Sequence, residues 1–404
     1  MSEPVDHNRL VVPEEAAKFL ELEGLLSPAQ NNKRELSISI FSSSSGSSPS
    51  KVADQIMIPD ALKSRETYEF IGFTNDVAAD IWRRFITKPA GMDDDFIDFA
   101  VAHVELHPFP DATSSTDDWH ECLRVLGINH ELIHAIMMPE FEDIRYTASC
   151  KHWVLESIES NYNALASLDE DLRAAQARIQ GLRKTGRNQE TPFTPRLESL
   201  PGHHMIWHVC DKAKAARFDD PITHAISLSA VRVCPGDFSG TVAVGYFTPQ
   251  KETADRYACW RKHKQHISEI RIIQIAVPDV FIKSISVHYL CYGDQSRPTD
   301  EWKSLIWHSS RGEYLPIEME WLENQDLLIG NIASGKNCKY ENIREPAGIK
   351  DSDVLTIERD GVQIKAIQWV FGSREAEWGF QKACEGKVWV HSVGTLMSDP
   401  YIEY

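Results

Sequence analysis

"GYFTPQKETADRYACW", Gly245 to Trp260, sets the end of an aromatic strand directly before an amphipathic helix. Gly-Tyr-Phe alternates as a strand does, Thr-Pro-Gln makes a turn, and the residues that follow suit a helix. Tyr246 returns as Tyr257, eleven positions on. Two readings fit that return. Both rings pack into one core, or they form two aromatic walls around a flat ligand.

Outward from this stretch, Pro201 to about Val393 reads as a mixed, mainly antiparallel α+β domain. Short β-rich runs dominate: "HMIWHV", "AVGYFT", "IRIIQIAV", "FIKSISVHYL", "KSLIWHSS", "DLLIGNI", "DVLTIERDG", "IKAIQWVF" and "KVWVHSV". Several alternate with the two-residue period of half-buried strands. Helices are expected near "DKAKAARF", "KETADRYACWRKHK" and "REAEWGFQKAC". The order is not that of repeated βαβ units, and no GxGxxG or Walker-type loop is present. A doubly wound dinucleotide-binding sheet is therefore not expected.

Before this domain the pattern turns helical, from about Thr67 to Arg187. In "CKHWVLESIESNYNALASLDEDLRAAQARIQGLRK", Trp153, Ile158, Tyr162, Leu165, Leu168 and Leu172 share one broad stripe. Residues 51–190 are read as a helical bundle or arm that docks a protein partner or target, not as part of a catalytic domain. "KTGRNQETPFTPRLESLPG" then makes a polar connection to the domain at 191–404. Residues 1–50 are read as a flexible tail. "PEEAAKFLELEGLLS" is a frayed terminal helix in it, and the serines at 42–50 bury too little to offset their ordering entropy.

Sixty acidic against forty-two basic side chains argue against nucleic acid as a partner, because backbone binding needs a basic face. The basic run "RKHKQH", Arg261 to His266, reads as the solvated end of a helix. Eight cysteines are scattered without a CxxC pair, which fits neither a zinc ribbon nor a disulfide framework. The chain starts without a signal-like apolar run and lacks a membrane-length one. The expected setting is soluble and reducing, cytoplasmic or nuclear.

Two histidine patterns invite a metal. His130-Glu131-Leu132-Ile133-His134 puts two imidazoles on one helix face with Glu131 as a base, the arrangement of a zinc hydrolase. Glu140, Glu142, Glu156 and Glu159 follow, none at a decisive spacing for a third ligand. In "GHHMIWHVC", His204 and His208 share one side of a strand, with His203 beside them. No acidic or cysteine cluster completes this second set, and no metal site is assigned.

Three pieces of the C-terminal half together resemble the ADP-ribosyltransferase fold, in its poly(ADP-ribose) polymerase and diphtheria-toxin branch. They are "MIWHVCDKAKAARF", "PGDFSGTVAVGYFTPQKETADRYACW" and "IKAIQWVFGSREAEWGF", within roughly 200–395. The resemblance implies that His208 contacts the adenosine ribose of NAD. It places Val209 where the family has a glycine whose backbone meets the nicotinamide amide. Tyr246 and Tyr257 match the tyrosines that sandwich nicotinamide. Thr253 corresponds to the small hydroxyl residue that bonds its amide. Gln368 stands where many of these enzymes carry the glutamate that contacts the nicotinamide ribose.

The implied activity uses NAD as substrate, in mono-ADP-ribosyl transfer or NAD hydrolysis. Glutamine keeps a hydrogen bond to ribose but brings neither charge nor a general base, so chain elongation is not expected. A catalytically inactive binding protein of the same fold is the alternative. Arg311 is read as a surface arginine rather than a phosphate ligand, Asp237 as a turn residue rather than a base, and Cys210 as core.

Overall fold

The computed structural model describes residues 9–41, 55–89, 91–108, 116–185, 198–220, 222–233, 236–239, 242–265, 267, 269–291, 298–335, 340 and 343–393. Its first half contains α1 (Glu14–Glu23), β1 (Lys33–Ser37), β2 (Gln55–Pro59), α2 (Arg65–Ile71), α3 (Asn75–Ile86), α4 (Phe96–Glu105), α5 (Thr116–Val125), α6 (His130–Met137), α7 (Glu142–Arg145) and α8 (Cys150–Thr185). Along α8, Trp153, Ile158, Leu165, Leu168 and Leu172 are buried and Tyr162 packs beside them, as the stripe predicts.

Residues 9–41 are not a flexible tail. α1 buries Ala16, Ala17 and Leu20, and β1 pairs antiparallel with β2, Leu36 opposite Ile56. Leu25, Leu26, Leu36 and Ile58 join the same core as the helices. Burying such a side chain contributes about 1.5–3 kcal/mol, which the apolar run around Leu20 supplies and a serine tract does not. The serines at 42–50 lie outside the described residues.

The second half contains β3 (His203–Asp211), α9 (Lys212–Phe218), β4 (Arg232–Val233), β5 (Val244–Phe247), α10 (Lys251–His263), β6 (Ile270–Pro278), α11 (Asp279–Ile282), β7 (Val287–Tyr289), α12 (Asp300–Ser310), β8 (Leu327–Asn331), β9 (Thr356–Arg359), β10 (Val362–Lys365), β11 (Ile367–Phe371), α13 (Arg374–Cys384) and β12 (Val388–Ser392). Two larger sheets form, in the orders β12-β6-β3 and β4-β5-β11-β8-β7, and β9 pairs with β10 apart from them. All pairings are antiparallel except β7 with β8. The architecture is mixed α+β, as the strand texture predicts.

One expected strand is a helix. "KSLIWHSS" belongs to α12, where Thr299 caps Trp302 N–H at 3.1 Å. Trp302, Leu305, Ile306 and Ser309 are buried at helical spacing, so the apolar period is that of a helix. "FIKSISVHYL" likewise divides between α11 and β7.

The two sheets face each other across Ile206, Phe218, Phe247, Ile273, Ile275, Trp369, Phe371 and their neighbours. On the outer side of the three-stranded sheet, Met205, Trp207 and Val209 pack on Ala254 and Ala258 of α10. The sheets touch where Trp207 and Thr248 exchange backbone hydrogen bonds of 2.8 and 2.9 Å. Position 190 does not divide the core. Trp260, Ile332, Leu355, Ile357 and Ala366 lie in the same apolar cluster as the helical half.

Candidate functional site

A cavity of about 140 Å³ opens where β3, β5, α10 and β11 meet the start of α8. It gathers all six residues picked out by the resemblance: His208 and Val209, Tyr246, Thr253 and Tyr257, and Gln368. They come from four elements spread over some 160 positions of sequence.

His208 Nδ1 lies 2.8 Å from the backbone oxygen of Tyr246. A carbonyl only accepts, so Nδ1 holds the proton and Nε2 of the neutral ring is an acceptor. Burial, with Arg261 nearby, pushes the imidazole down to about 3. Val209 does not simply crowd the cavity. It shares a cluster with Ala254 and Ala258, whose small side chains leave room for its branches.

Val370 lies opposite Tyr246 in the β11–β5 register, so Gln368, two residues earlier, shares the face of Tyr246. The Tyr246 hydroxyl accepts from Phe238 N–H at 3.1 Å and bonds Ser239 Oγ at 3.0 Å. The loop lies so close to this ring that a Cβ on Gly236 would stand 2.2 Å from the Tyr246 hydroxyl oxygen. Only glycine allows that approach.

Tyr257 donates to Thr147 Oγ1 at 2.9 Å, a bond from α10 to the segment before α8. Thr253 is fully buried and donates to Gln250 Oε1 at 3.1 Å. That oxygen also takes Ile367 N–H at 2.7 Å, which ties the start of α10 to the start of β11. The Thr253 proton is committed there, so toward a ligand the hydroxyl offers only lone pairs.

Gln368 directs Nε2 to Asp237 Oδ2 at 2.9 Å and, more weakly, to the Asn331 carbonyl at 3.4 Å. Asp237 is therefore more than a turn residue. It lines the cavity, and Oδ2 also accepts Ala333 N–H at 2.9 Å. Oδ1 has no hydrogen bond among the described residues. Burial pushes the carboxyl up to about 7, against the pull of its two donors.

The helical half supplies a wall of its own. Thr147, Ala148, His152 and Trp153 line the cavity, so these helices are part of the site and not only a separate docking arm. Behind this wall part of the run read as a solvated helix end is buried: Lys262 and His263 are exposed, but Lys264 and Gln265 are covered, and His266 lies outside the described residues. Lys264 is fully covered, 2.5 Å from Glu156 Oε2 and 4.2 Å above the Trp153 ring. Arg261 reaches Glu156 Oε1 at 3.5 Å, and its buried Nε has no partner among the described residues.

Burial alone would raise the Glu156 carboxyl, but Lys264 and Arg261 overcome it and hold it down at about 2. Burial draws Lys264 down to about 8 and His152 to about 4. At neutral pH Glu156 and Lys264 are thus charged while the two cavity histidines are neutral.

Asp237, Arg261 and His152 are among the cavity residues whose place there sequence reading missed. One signal was present for Arg261 and Lys264. Trp260 precedes them on the helix, and a cation beside a tryptophan near a chain's buried stripe is often a covered one. Asp237 carried no such signal.

The other candidates lie elsewhere. His130, Glu131 and His134 are exposed on α6, and no group of three potential metal ligands occurs among the described residues. His204 faces Asp279 at 3.5 Å, and His203 bonds the Pro201 carbonyl at 3.0 Å. Arg311 pairs with Glu313 at 2.8 Å and lies over Trp307, away from the cavity. Cys210 is buried and its thiol is pushed up to about 12, so it is inert at neutral pH. No described helix is long and apolar enough to cross a membrane.

No model of a known protein family, no curated protein and no solved structure matches the chain.

Proposed function

We propose that the cavity takes the nicotinamide end of NAD, and that the protein is a mono-ADP-ribosyltransferase or an NAD glycohydrolase. One observation carries this reading. Six residues picked out by the resemblance, from four separate elements, line one cavity. Its size agrees. The space is of the order that one aromatic ring fills, about 140 Å³ against about 150 Å³ for an apolar cavity that holds benzene, and the rest of the dinucleotide would stay at the mouth.

In this reading Tyr246 and Tyr257 offer aromatic faces to the pyridinium, worth about 0.5–2 kcal/mol once water is excluded. Thr253 Oγ1 accepts from the carboxamide, and the Gln368 carbonyl accepts from the ribose. His208 offers Nε2 to a ribose hydroxyl. Rate then comes from positioning and from stabilising charge as nicotinamide leaves.

The test is nicotinamide release from NAD by the full chain, followed by proton NMR beside Tyr246→Ala and Gln368→Ala. The truncated C-terminal half is unsuitable, because Thr147 and Trp153 belong to the cavity. Release that falls in both variants supports the reading. Saturable binding without release would instead favour an inactive binding protein, which the neutral Gln368 also suits. No binding at all would remove NAD.

A further inference from the structure

If the cavity acts on NAD, position 368 leaves it without the carboxylate that its chemistry calls for. Breaking the bond to nicotinamide puts positive charge on the ribose, and the incoming acceptor must lose a proton. A glutamine does neither. Yet the Gln368 amide does not end in empty space. It donates to a carboxylate, Asp237 Oδ2, at 2.9 Å.

We propose that Asp237 is the catalytic carboxylate of this cavity, supplied from the loop before β5 and aimed by Gln368. The inference rests on the NAD reading of the site. Three features of the geometry carry it. Asp237 lines the cavity beside Tyr246, Tyr257 and Gln368. Both of its hydrogen bonds, from Gln368 Nε2 and from Ala333 N–H, go to Oδ2, which fixes the group and leaves Oδ1 for a substrate. Among the described residues no cation pairs with it, unlike Glu156, which faces Lys264 and Arg261.

The loop itself is held for this purpose. Phe238 N–H and Ser239 Oγ bond the Tyr246 hydroxyl, so the tyrosine that offers a ring to the ligand also anchors the residues next to Asp237. Gln368 becomes a positioning residue, with its amide nitrogen turned to the carboxylate and held by the Asn331 carbonyl at 3.4 Å.

The step balances as follows. The bond between ribose C1′ and the nicotinamide nitrogen breaks, and its electron pair leaves with nicotinamide as a neutral ring. Positive charge at C1′ and its ring oxygen is stabilised by ionised Asp237. A water oxygen, or a nucleophilic side chain of an acceptor protein, forms the new bond to C1′. Its proton passes to Asp237 Oδ1 and then to solvent. No oxidant or reductant is required.

The groups facing Asp237 make its titration readable. The Gln368 amide and the Ala333 N–H are neutral donors. Tyr257 from α10 and Tyr340 are phenols raised well above their ordinary range by burial, and Asp237 raises them further. Of the other cavity groups, His152 and His208 are held neutral and Arg261 pairs with Glu156. With the carboxyl at about 7, activity should rise with pH through the neutral range.

The experiment measures NAD affinity by calorimetry and nicotinamide release by NMR, in the full chain and in Asp237→Asn, from pH 5 to 9. Expected is a Kd within a few-fold of the parent and a release rate lower by about 10²–10⁴-fold. The parent rate should climb with a midpoint near 7, and the variant should lack that rise. A variant that binds NAD and keeps both rate and pH profile overturns Asp237 while the site reading stands. A parent that binds NAD without releasing nicotinamide also overturns it. A parent that does not bind NAD removes the reading and the proposal together. Should Asp237→Asn fail to fold, the parent's pH profile decides, since a flat rate between pH 6 and 8 is incompatible with a carboxylate that must ionise. Gln368→Glu gives an independent arm. Two carboxylates at hydrogen-bond distance share one proton, so the midpoint should move up.

Discussion

At the contact of α8 with α10, Glu156 faces Lys264 at 2.5 Å and Arg261 at 3.5 Å, so a buried acid has two cations. In the cavity wall, Asp237 faces an amide and a backbone N–H and has no cation among the described residues. The two carboxyls are accordingly displaced in opposite directions, one to about 2 and the other to about 7. Burial acts on both, and only the neighbouring charge differs. A paired carboxylate fastens one element to another. An unpaired one is costly to ionise, and the fold retains it at the place where a cationic centre would arrive.

The largest effect should come from breaking the paired side. Glu156→Ala strands Lys264 and Arg261 without an anion, and such a loss costs about 3–5 kcal/mol. Urea denaturation of the full chain should show it as a lower midpoint. A cost below about 1 kcal/mol would mean that packing of Trp153 and Trp260 holds the contact without the ions, in the range of exposed pairs.

The unpaired side should respond with the opposite sign. The Asp237 carboxyl is at about 7 in the fold and at the ordinary value near 4 once unfolded. Its raised value means that the folded chain holds the proton longer, so stability falls as pH rises from about 4 through 7 and stays lower above. Asparagine does not ionise and keeps an oxygen for both donors. Asp237→Asn should therefore be more stable than the parent by about 1–3 kcal/mol at pH 8, after discounting for its opening onto the cavity, and equal to it below pH 4. Denaturation at the two pH values checks this. A loss of stability at pH 8 would show that the carboxylate holds the loop, and the contrast with Glu156 would fail.

How far the sequence reached depends on which signals are local. The strands of the second half, the stripe of α8 and the pairing of Tyr246 with Tyr257 are periodic or short-range, and residue pattern reports them. "KSLIWHSS" reads as a strand because Ile306 and Trp307 are also good strand formers, and the deciding feature is the cap at Thr299. α1 reads as a helix in the sequence, and what its polar neighbours mask is the compact apolar run that packs it into the core. The site divides in the same way. Its six predicted residues sit in recognisable strand-to-helix stretches. Asp237 was missed because its partner is 131 positions away, and Lys264 because its partner is 108 away. A charged residue in a sequence shows its type but not which distant group will cover it.

The smallest expected effect concerns the hinge between these two clusters, the bond from Tyr257 to Thr147. It is a neutral hydrogen bond of 2.9 Å that connects a cavity ring on α10 to the helical wall. Thr147→Val keeps the volume and removes the hydroxyl, leaving the Tyr257 phenol without this acceptor, while the Ile144 carbonyl keeps the Thr147 backbone N–H as a donor. The cost should be about 0.5–1.5 kcal/mol, several-fold below that of Glu156→Ala. Because the Tyr257 ring is the one the ligand would stack on, the same variant should weaken NAD binding a few-fold, while Thr147→Ser restores both. Stability that falls while NAD affinity is unchanged would separate the wall from the ligand. It would leave the charged pair at Glu156, rather than this bond, as what fixes the cavity's second aromatic face.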